Sequence, residues 1–553
     1  MAEAVGIGFA VVGLLAAFKG ALDSYFLIES IFEKDNGLRD LVLGYNIERE
    51  KLKSWGDRFG VNAGTEKDCL LDREPEQIKR LMAEIFGRIK YYHGEAENYL
   101  TKHEASDHPV DYHMMNNVDR DFKKHLRLDS VQVDAMSKAQ MSKPQKKRVK
   151  WAIKNKEKFG DVVKILRKYN EDLLGLLTES SVHAYTRALP AYVLTIPHNA
   201  FDLQQAQGLT GPANVLIRQA AHLKLLQSTA ANTRDAVSID SRLLEETTAV
   251  QSSRSICIYN IVNTSLISDD DDDDDEDVED APSKPRIWTE WLDIENTLSP
   301  AKKNDAQERI KTLSVMLHSA PASFRIAKCI GYRNDLSNPN RTGLVYRVPQ
   351  DLGMAVPISL LDIIKRYKEK PTPPLGDRFK LAQALATTLM QLHTSDWLHK
   401  AFRGDNILFF LGLAGPITDP YVAGFEYARE VNMQSLGVRP SGQNSLDYYY
   451  HPNVGSGFSK TLDLYSLGVV LLEIAYWRPL RSKIPPEHAK SLGSIHKLFV
   501  ESADHKLDAA VGSIYANVVR TCLQCKLLDD DLGDGFACAV NTEIVLQLER
   551  CVA

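Results

Sequence analysis

The chain has 553 residues, of which 44% are hydrophobic and 25% are charged, and its formal net charge is -6. This length exceeds what one hydrophobic core organises, so we expect two to four soluble globular domains, which excludes a disordered or fibrous chain. The sequence has seven cysteines without a paired framework and no pattern typical of a cleavable signal peptide. We therefore expect a reducing compartment, the cytoplasm.

The N-terminus begins with an uncharged, largely apolar run from Ala4 to Phe18. At 1.5 Å per residue a helix over this run is about 22 Å long, which is shorter than the roughly 30 Å hydrocarbon core of a bilayer. The run is therefore not predicted to rest across a membrane. Two interpretations remain, a core helix of a bundle and a helix that is buried at rest and released to a bilayer on activation.

Long amphipathic helices are predicted next, over Leu38–Trp55, Pro75–Tyr99 and Lys146–Leu177, because apolar residues recur three and four positions apart. Trp55 and Trp151 are expected to be structural members of their apolar faces. Strand patterns are nearly absent before residue 250, so an all-α helical bundle is predicted. The apolar stripe of the third helix has eight members: Trp151, Phe159, Val162, Val163, Leu166, Tyr169, Leu173 and Leu176.

Three separated segments of this part carry a resemblance: "GIGFAVVGLLAAF", "LVLGYNIEREKLKSWGDRFGV" and "KKRVKWAIKNKEKFGDVVKILRKYNEDL". Together they resemble the fungal HeLo domain of prion-controlled heterokaryon-incompatibility proteins, over about residues 1–205. The resemblance implies a programmed-cell-death effector that self-associates, binds membrane lipids and is recruited to the membrane on activation, downstream of an immune or incompatibility sensor. Its membrane-active side chains would be Val5, Ile7, Phe9, Val11, Val12, Leu14, Leu15 and Phe18.

Residues 206–250 are predicted to be a linker that contains a helix. The amyloid-forming repeats that follow this domain in prion proteins of the family have no counterpart here, since neither repeats nor an Asn/Gln-rich tract occur. The sequence therefore does not support that trigger.

Two charged stretches interrupt the chain. Residues 269–280 contain eleven acidic residues in twelve positions, which predicts a solvated loop between two strands. The stretch Lys143–Lys158 is basic; we favour an ordinary solvated helix face, with an anionic lipid surface or nucleic acid as the alternatives. No nucleic acid is expected as a partner.

After residue 250 short apolar runs alternate with periodic helical segments, which predicts mixed α and β structure. "SICIYNIV" and "RIWTEWLDI" are predicted strands on either side of the acidic run, and "FRIAKCIGY" and "GLVYRVP" continue the sheet. Two motifs follow in order, "HKAFRGDNILFF" at 399–410 and "TLDLYSLGVVLLEIAYWRPL" at 461–480. This succession resembles a bilobal α+β protein-kinase domain over 251–553, with its N-lobe at about 251–350 and its C-lobe at about 351–553.

The kinase resemblance lacks its proton-handling group. His399 and Asn406 keep the spacing of the kinase motif H-R-D-L-x-x-x-N, but Ala401 occupies the position of the general base. A methyl group cannot accept a proton or orient a hydroxyl group. Arg403, Asp405 and Asn406 could still contact a nucleotide weakly, or pin the loop through a salt bridge. His399 and the downstream Asp463 match residues whose role in the family is structural.

The metal-binding motif D-F-G is also altered, because Gly424, Phe425 and Glu426 align with it and Gly424 has no side-chain oxygen. No metal site is expected. In the N-lobe no glycine-rich phosphate loop occurs between residues 240 and 268, and the position of the phosphate-holding lysine falls near Leu292. Glu308, which would pair with that lysine, is predicted to be a solvated helix residue.

These losses predict a pseudokinase that requires no cofactor, although its cleft could still accept ATP. We expect this unit to hold the helical effector in check. The alternatives are an atypical serine/threonine kinase that uses Asp405, Asp419 or Glu426, and a non-enzymatic scaffold. The pair Cys522 and Cys525 is expected to be two thiols on a helix, because no second pair completes a zinc site.

Overall fold

The computed structural model describes residues 13–25, 39–61, 69–101, 145–197, 199–228, 236–248, 257–261, 286–294, 299–348, 356–366, 371–410, 417–425, 429–430, 446–488, 491–527 and 533–552. The chain divides into two compact units, Met1–Ile217 and Arg218–Ala553.

The described residues of the N-terminal unit are helical. Helix α2 packs against α4 and α5, and α3 packs against α4. The three long helices predicted from the sequence are α2, α3 and α4, each within three residues of its predicted bounds. The helices are α1 (13–25), α2 (Arg39–Arg58), α3 (Glu76–Thr101), α4 (Gln145–Gly175), α5 (Glu179–Val193), α6 (Ala200–Gln207) and α7 (Val215–Ser228), whose last eleven residues belong to the second unit.

The core of this unit is lined by the predicted apolar stripe of α4. Phe159, Val162, Val163, Leu166 and Leu173 are buried. Two further members of the stripe, at 169 and 176, are partly exposed, and the side chain at 151 lies outside the described ones. Burial of one face of the helix accounts for its amphipathic pattern.

A buried ion network joins α2 to α4. The carboxylate of Glu48, fully buried, accepts hydrogen bonds from Lys51 Nζ at 3.1 Å, Arg167 Nε at 3.3 Å and Asn170 Nδ2 at 2.9 Å. The hydroxyl group of Tyr185 on α5 donates to the Lys51 carbonyl oxygen at 3.0 Å. Because the buried charge is paired and hydrogen-bonded on both oxygens, it fixes the register of these helices.

Helix α1 is buried along one face and continues past Phe18 to residue 25, beyond the predicted run. Leu14, Phe18, Ala21 and Tyr25 lie in the core of the unit, and Leu15 is partly exposed. Among the described residues, no helix combines the length and hydropathy needed to cross a bilayer. The remaining predicted membrane-active residues lie outside the described part: Val5, Ile7, Phe9, Val11 and Val12.

The C-terminal unit contains a five-stranded antiparallel sheet in the order β1-β2-β3-β5-β4. Helix α8, which begins at an N-cap formed by Ser299, packs against β4 and β5. Four of these strands were predicted from the sequence, whereas β1 lies before residue 250 and was not. The strands and the helix are β1 (Leu244–Thr248), β2 (Cys257–Ile261), β3 (Arg286–Asp293), α8 (Pro300–His318), β4 (Cys329–Asn334) and β5 (Arg341–Arg347).

The two edges of this sheet are joined by one stretch of chain. The backbone N–H of Ile239 donates to the Tyr332 carbonyl oxygen at 2.8 Å, and Tyr332 N–H donates to the Val237 carbonyl oxygen at 3.0 Å, which covers the β4 edge. The chain then forms β1 on the opposite edge. Gly331 permits this approach, because a Cβ atom there would overlap the Val237 carbonyl oxygen.

The acidic run predicted as a loop lies in the connection between β2 and β3, which pair antiparallel with Asn260 opposite Arg286. The prediction that strands flank it is confirmed. The run itself lies outside the described residues.

The remainder of this unit is mostly helical. Helix α10 packs against α11, and α11 packs against α13. The elements are β6 (Ile358–Ser359), α9 (Leu360–Lys365), α10 (Leu375–Thr394), β7 (Trp397–Leu398), β8 (Ile407–Phe409), β9 (Tyr421–Val422), β10 (Arg429–Glu430), α11 (Lys460–Tyr476), α12 (Leu492–His505), α13 (Leu507–Leu523), α14 (Phe536–Val540) and α15 (Leu546–Glu549).

The prediction that both thiols of the CxxC pair lie on a helix is half right. Cys522 is buried within α13, but α13 ends at Leu523 and Cys525 follows it with φ of 49°. Burial raises the pKa of the Cys525 thiol to about 11, and burial raises the pKa of Cys522 further. Both are therefore neutral thiols at physiological pH.

Candidate functional site

The loop at 399–406, called the kinase-like loop after its motif, lies between two short strands in the interior of the C-terminal unit. Strand β7 pairs with β10, and β8 pairs with both β6 and β9. The loop between β7 and β8 ends in a 3₁₀ turn, Gly404–Asn406. His399 and Ala401 have no exposed surface, and Asn406 is 1% exposed. The loop is thus held on all sides by protein.

Asp463, in the first turn of α11, holds the start of this loop. Its two carboxylate oxygens accept hydrogen bonds from the backbone N–H groups of His399 and Lys400, each at 2.8 Å. His393 Nε2 lies 3.3 Å from one of these oxygens. Lys400 has φ of 64°, a conformation that the two hydrogen bonds help to hold. These contacts correspond to the structural role predicted for Asp463.

His399 has a structural environment as well. Its Nε2 donates to the Ala423 carbonyl oxygen at 3.0 Å, and its Nδ1 accepts from the Ala401 backbone N–H at 3.3 Å. Its ring lies 4.7 Å from that of Phe425 between ring centres. Both ring nitrogens are engaged, so the imidazole connects the loop to the segment after β9.

Asn406 fills the space in front of Gly424. Its Nδ2 donates to the Ala401 carbonyl oxygen at 2.5 Å, across the loop. A Cβ atom built on Gly424, whose φ is 82°, would overlap the Asn406 amide group. The side chain that could still contact a nucleotide is therefore folded inward, against the position that aligns with the metal-binding aspartate of kinases.

The carboxylates considered as substitutes for the general base have cationic partners where they are described. Asp405 accepts from Arg403 Nε at 3.1 Å and from its second guanidinium nitrogen at 3.4 Å. Asp419, 62% exposed, pairs with Arg325. Glu426 lies outside the described residues. No group of three or more His, Cys, Asp or Glu side chains in the described part could hold a metal ion.

Glu473 is a functional candidate that the sequence did not single out, and its carboxylate lies beside Gly404 of the loop. Its carboxylate accepts from Tyr448 Oη at 3.0 Å, Tyr449 Oη at 2.6 Å and the Leu480 backbone N–H at 3.0 Å. Burial raises the pKa of Glu473 to about 7, and these hydrogen bonds oppose the rise. The signal was present in the sequence, because Glu473 lies within the motif at 461–480, ten residues after Asp463.

The inner face of β3 carries large side chains that were also missed. Trp288 stacks on Tyr346 of β5 with ring centres 4.4 Å apart and planes 15° apart, and it lies 6.4 Å from Phe410, which follows β8. Glu290, two residues along the same face and 2% exposed, accepts from Tyr346 Oη at 3.4 Å. The face of β3 on which the kinase resemblance places a phosphate-binding lysine therefore presents aromatic rings and a carboxyl group.

A second candidate site lies in the N-terminal unit, where α1 docks. Phe18 is 1% exposed and lies 5.4 Å from Phe86 and 6.0 Å from Trp55 between ring centres. A Cβ atom on Gly56 would overlap the Phe18 ring. The glycine thus makes a recess on α2 for the aromatic ring of α1, with Trp55 as its wall.

Two family models match the chain, one within each structural unit. The family described as HeLo, prion-inhibition and propagation, matches residues 6–204, and a domain of unknown function, DUF7580, matches residues 287–552. The first match agrees with the resemblance found in the sequence and indicates a fungal incompatibility or cell-death signalling protein. The second names no activity. No curated protein matches the chain.

Proposed function

We propose that this chain is a fungal cell-death signalling protein in which a kinase-like unit without phosphoryl-transfer activity restrains a membrane-active helical unit. The observation that carries the proposal is the docking of α1, whose Phe18 ring occupies the recess over Gly56. Release of α1 would expose its buried face to a bilayer, and self-association at the membrane would follow. An upstream incompatibility sensor would supply the signal.

The docking of α1 depends on the recess over Gly56, which the Phe18 ring occupies. An aromatic side chain contributes most of its stabilisation through buried area, roughly 2 to 3 kcal/mol for a ring of this size, so Phe18 is a major contributor to the docking beside the other buried residues of α1. Because Gly56 has no side chain, the docking depends on the absence of a single methyl group. A small movement of α2 against α1 would remove the recess.

The absence of a general base supports the inactive kinase-like unit. Removing a positioned base carboxylate raises a reaction barrier by several kcal/mol, about 3 to 5, and Ala401 is a buried methyl group. Asp405 pairs with Arg403, so its carboxylate is already engaged in an ion pair. Gly424 has no side-chain oxygen to bind magnesium, and the Asn406 amide group, a weak magnesium ligand by itself, fills the space in front of it.

We also propose that the cleft holds no nucleotide. The stacked rings of Trp288 and Tyr346 lie on the face of the sheet that would cover the base, next to Phe410. The carboxyl group of Glu290 on the same face would repel phosphates, because kinases need a cation there. ATP at millimolar concentration should leave the thermal midpoint of the protein unchanged.

The proposal is tested by filling the recess. Gly56→Ala in the full chain should evict Phe18 and raise dye leakage from vesicles containing anionic lipid by about tenfold, as expected if docking loses more than 1.4 kcal/mol. Gly87→Ala is the matched control, because a Cβ atom at Gly87 meets nothing within 4 Å. Equal leakage from both variants, with both shown to be folded, would remove the membrane effector from the proposal.

The absence of phosphoryl transfer needs its own assay. The purified chain should incorporate no labelled phosphate from ATP into itself or a basic peptide mixture. Incorporation that Asp405→Asn abolishes would instead establish an atypical kinase.

A further inference from the structure

We propose that Lys224, Asp396 and Lys460 form an ionic clamp that holds the linker helix α7 against the α10–β7 turn and the start of α11, beside the loop at 399–406, so that helix and loop are retained or released together. All three residues belong to the C-terminal unit, since the division of the chain falls between Ile217 and Arg218. As a regulatory device the clamp rests on the proposed function, because it names the contact through which the kinase-like unit holds the chain leading from the effector.

The geometry places one carboxylate between two ammonium groups. Lys224 Nζ lies 3.0 Å from one Asp396 oxygen, and Lys460 Nζ lies 2.8 Å from the other. The lysine side chains are 15% and 9% exposed, and that of Asp396 is 35% exposed. Partly buried pairs such as these are screened by salt much less than ion pairs on an open surface.

Asp396 occupies a position that few residues adopt. It lies in the turn between α10 and β7 with φ of 58°, and its backbone N–H donates to the His393 carbonyl oxygen at 3.1 Å. Aspartate and asparagine tolerate this left-handed conformation better than other residues that have a Cβ atom. The carboxylate is thereby aimed away from the core, toward α7 and the start of α11.

The first turn of α11 contributes one residue to the clamp and another to the contacts that hold the loop. Lys460 begins α11, and Asp463, three residues later, accepts the backbone N–H groups of His399 and Lys400. A displacement of the first turn of α11 would therefore move the Asp396 contact and the loop together. In this way a side chain of the linker helix is connected to the loop by two carboxylates and one helical turn.

The side of α7 that carries Lys224 also contributes apolar anchoring. Ala220, Ala221 and Leu223 are buried, with exposed surfaces of 2% or less. Lys224 lies one helical turn after Ala220 and Ala221, so its ion pair is beside the buried face. The ion pair is expected to set how often α7 detaches, because alanine side chains contribute little buried area.

Hydrogen exchange of the full chain, read on peptides that cover residues 218–228, tests the clamp. Lys224→Met keeps the aliphatic stem and removes the charge, and we expect exchange in α7 to become about fivefold faster, with Lys224→Glu faster still. Lys302→Met, at an exposed lysine of α8, is the matched control and should leave α7 unchanged. Peptides of α13, which contains no residue of the clamp, report whether the unit remains folded.

A double-mutant cycle separates the clamp from a general loss of stability. Lys224→Met and Asp396→Asn should each accelerate exchange in α7, and the double variant should be no faster than Asp396→Asn alone, because both remove the same contact. Additive effects, or α7 exchange within twofold of the Lys302→Met control, would overturn the clamp. Vesicle leakage measured on the same variants distinguishes the two ideas: faster exchange without leakage would keep the clamp and contradict the effector.

Discussion

At the scale of single residues, the Asn406 side chain can occupy its position only because residue 424 is a glycine. Gly424→Ala should destabilise the C-terminal unit by at least about 2 kcal/mol, because a side chain there adopts φ of 82° and overlaps the Asn406 amide. Denaturant unfolding followed by tryptophan fluorescence measures the change. Gly455→Ala, where a Cβ atom meets nothing within 4 Å, should be near neutral. Equal effects of the two substitutions would contradict the overlap.

The same pair explains why restoring one kinase residue should fail. Ala401→Asp would introduce a charge into a fully buried position, where Asn406 already uses the neighbouring carbonyl oxygen. The sequence predicts that the chemistry is lost, since Ala401 and Gly424 can be read directly. It does not predict that Asn406 turns inward, because that depends on the volume left by a side chain that is absent.

Glu473 gives a pH dependence that can be isolated. Burial raises its pKa to about 7, above the value of 4.5 for an unperturbed glutamate, so the folded state holds a proton that the unfolded state releases. Stability from this group is fully present below pH 4.5 and is lost as the pH rises through 7, by about 3 kcal/mol in total. Glu473→Gln should therefore gain stability relative to the parent between pH 5 and pH 8.

Chemical denaturation at both pH values measures this difference. Glutamine keeps the size of the side chain and one acceptor oxygen for Tyr448 or Tyr449. Asp377→Asn, at the partly exposed first turn of α10, is the control and should change the free energy of unfolding by the same amount at both pH values. A parent-to-variant difference that is constant with pH would show that Glu473 is ionised throughout.

At the scale of elements, the sheet is held at both edges by the stretch 237–248. Ile239 is 6% exposed and packs with Ile287 and Val345 in the core of the sheet. Ile239→Ala should cost about 2 to 4 kcal/mol and accelerate exchange of the Tyr332 N–H, which donates to the Val237 carbonyl oxygen two residues before Ile239. Leu336→Ala, 76% exposed, should change neither. Unchanged exchange at Tyr332 would show that the edge pairing is independent of this core.

The elements divide into those that sequence patterns predict and those that only tertiary contacts specify. Helices α2, α3, α4 and α10 follow from apolar spacing that buries one face, and β2 to β5 follow from alternation. The 237–248 stretch is different: its short apolar pattern is read as a linker, because nothing local shows that it borders two strands distant in sequence. The opening at Gly331, which permits the crossing, is likewise visible only in three dimensions.

At the scale of the whole molecule, the boundary of the helical unit can be tested by truncation. Ala206 is fully buried, and the 3₁₀ turn Pro212–Asn214, which packs against α5, holds the buried Asn214. A fragment ending at residue 217 should therefore be more stable than one ending at residue 205, by about 1 to 2 kcal/mol, or several degrees in thermal midpoint. Circular dichroism measures both. Identical midpoints would place the end of the cooperative unit before α6 is complete.

The fragment 1–217 also decides whether the two units have opposed roles. If α1 is held in part by restraint from the C-terminal unit, the fragment should leak dye from anionic vesicles at protein concentrations where the full chain does not. The fragment carrying Val11→Asp and Leu14→Asp is the control, provided that it remains folded, because two charges make insertion of α1 unfavourable by several kcal/mol, about 5. Leakage by the fragment alone would locate the restraint in residues 218–553, and leakage by both fragment and full chain would show that neither those residues nor the Phe18 recess restrains α1. If neither protein causes leakage although both are folded, binding without membrane action would remain as the role of each unit.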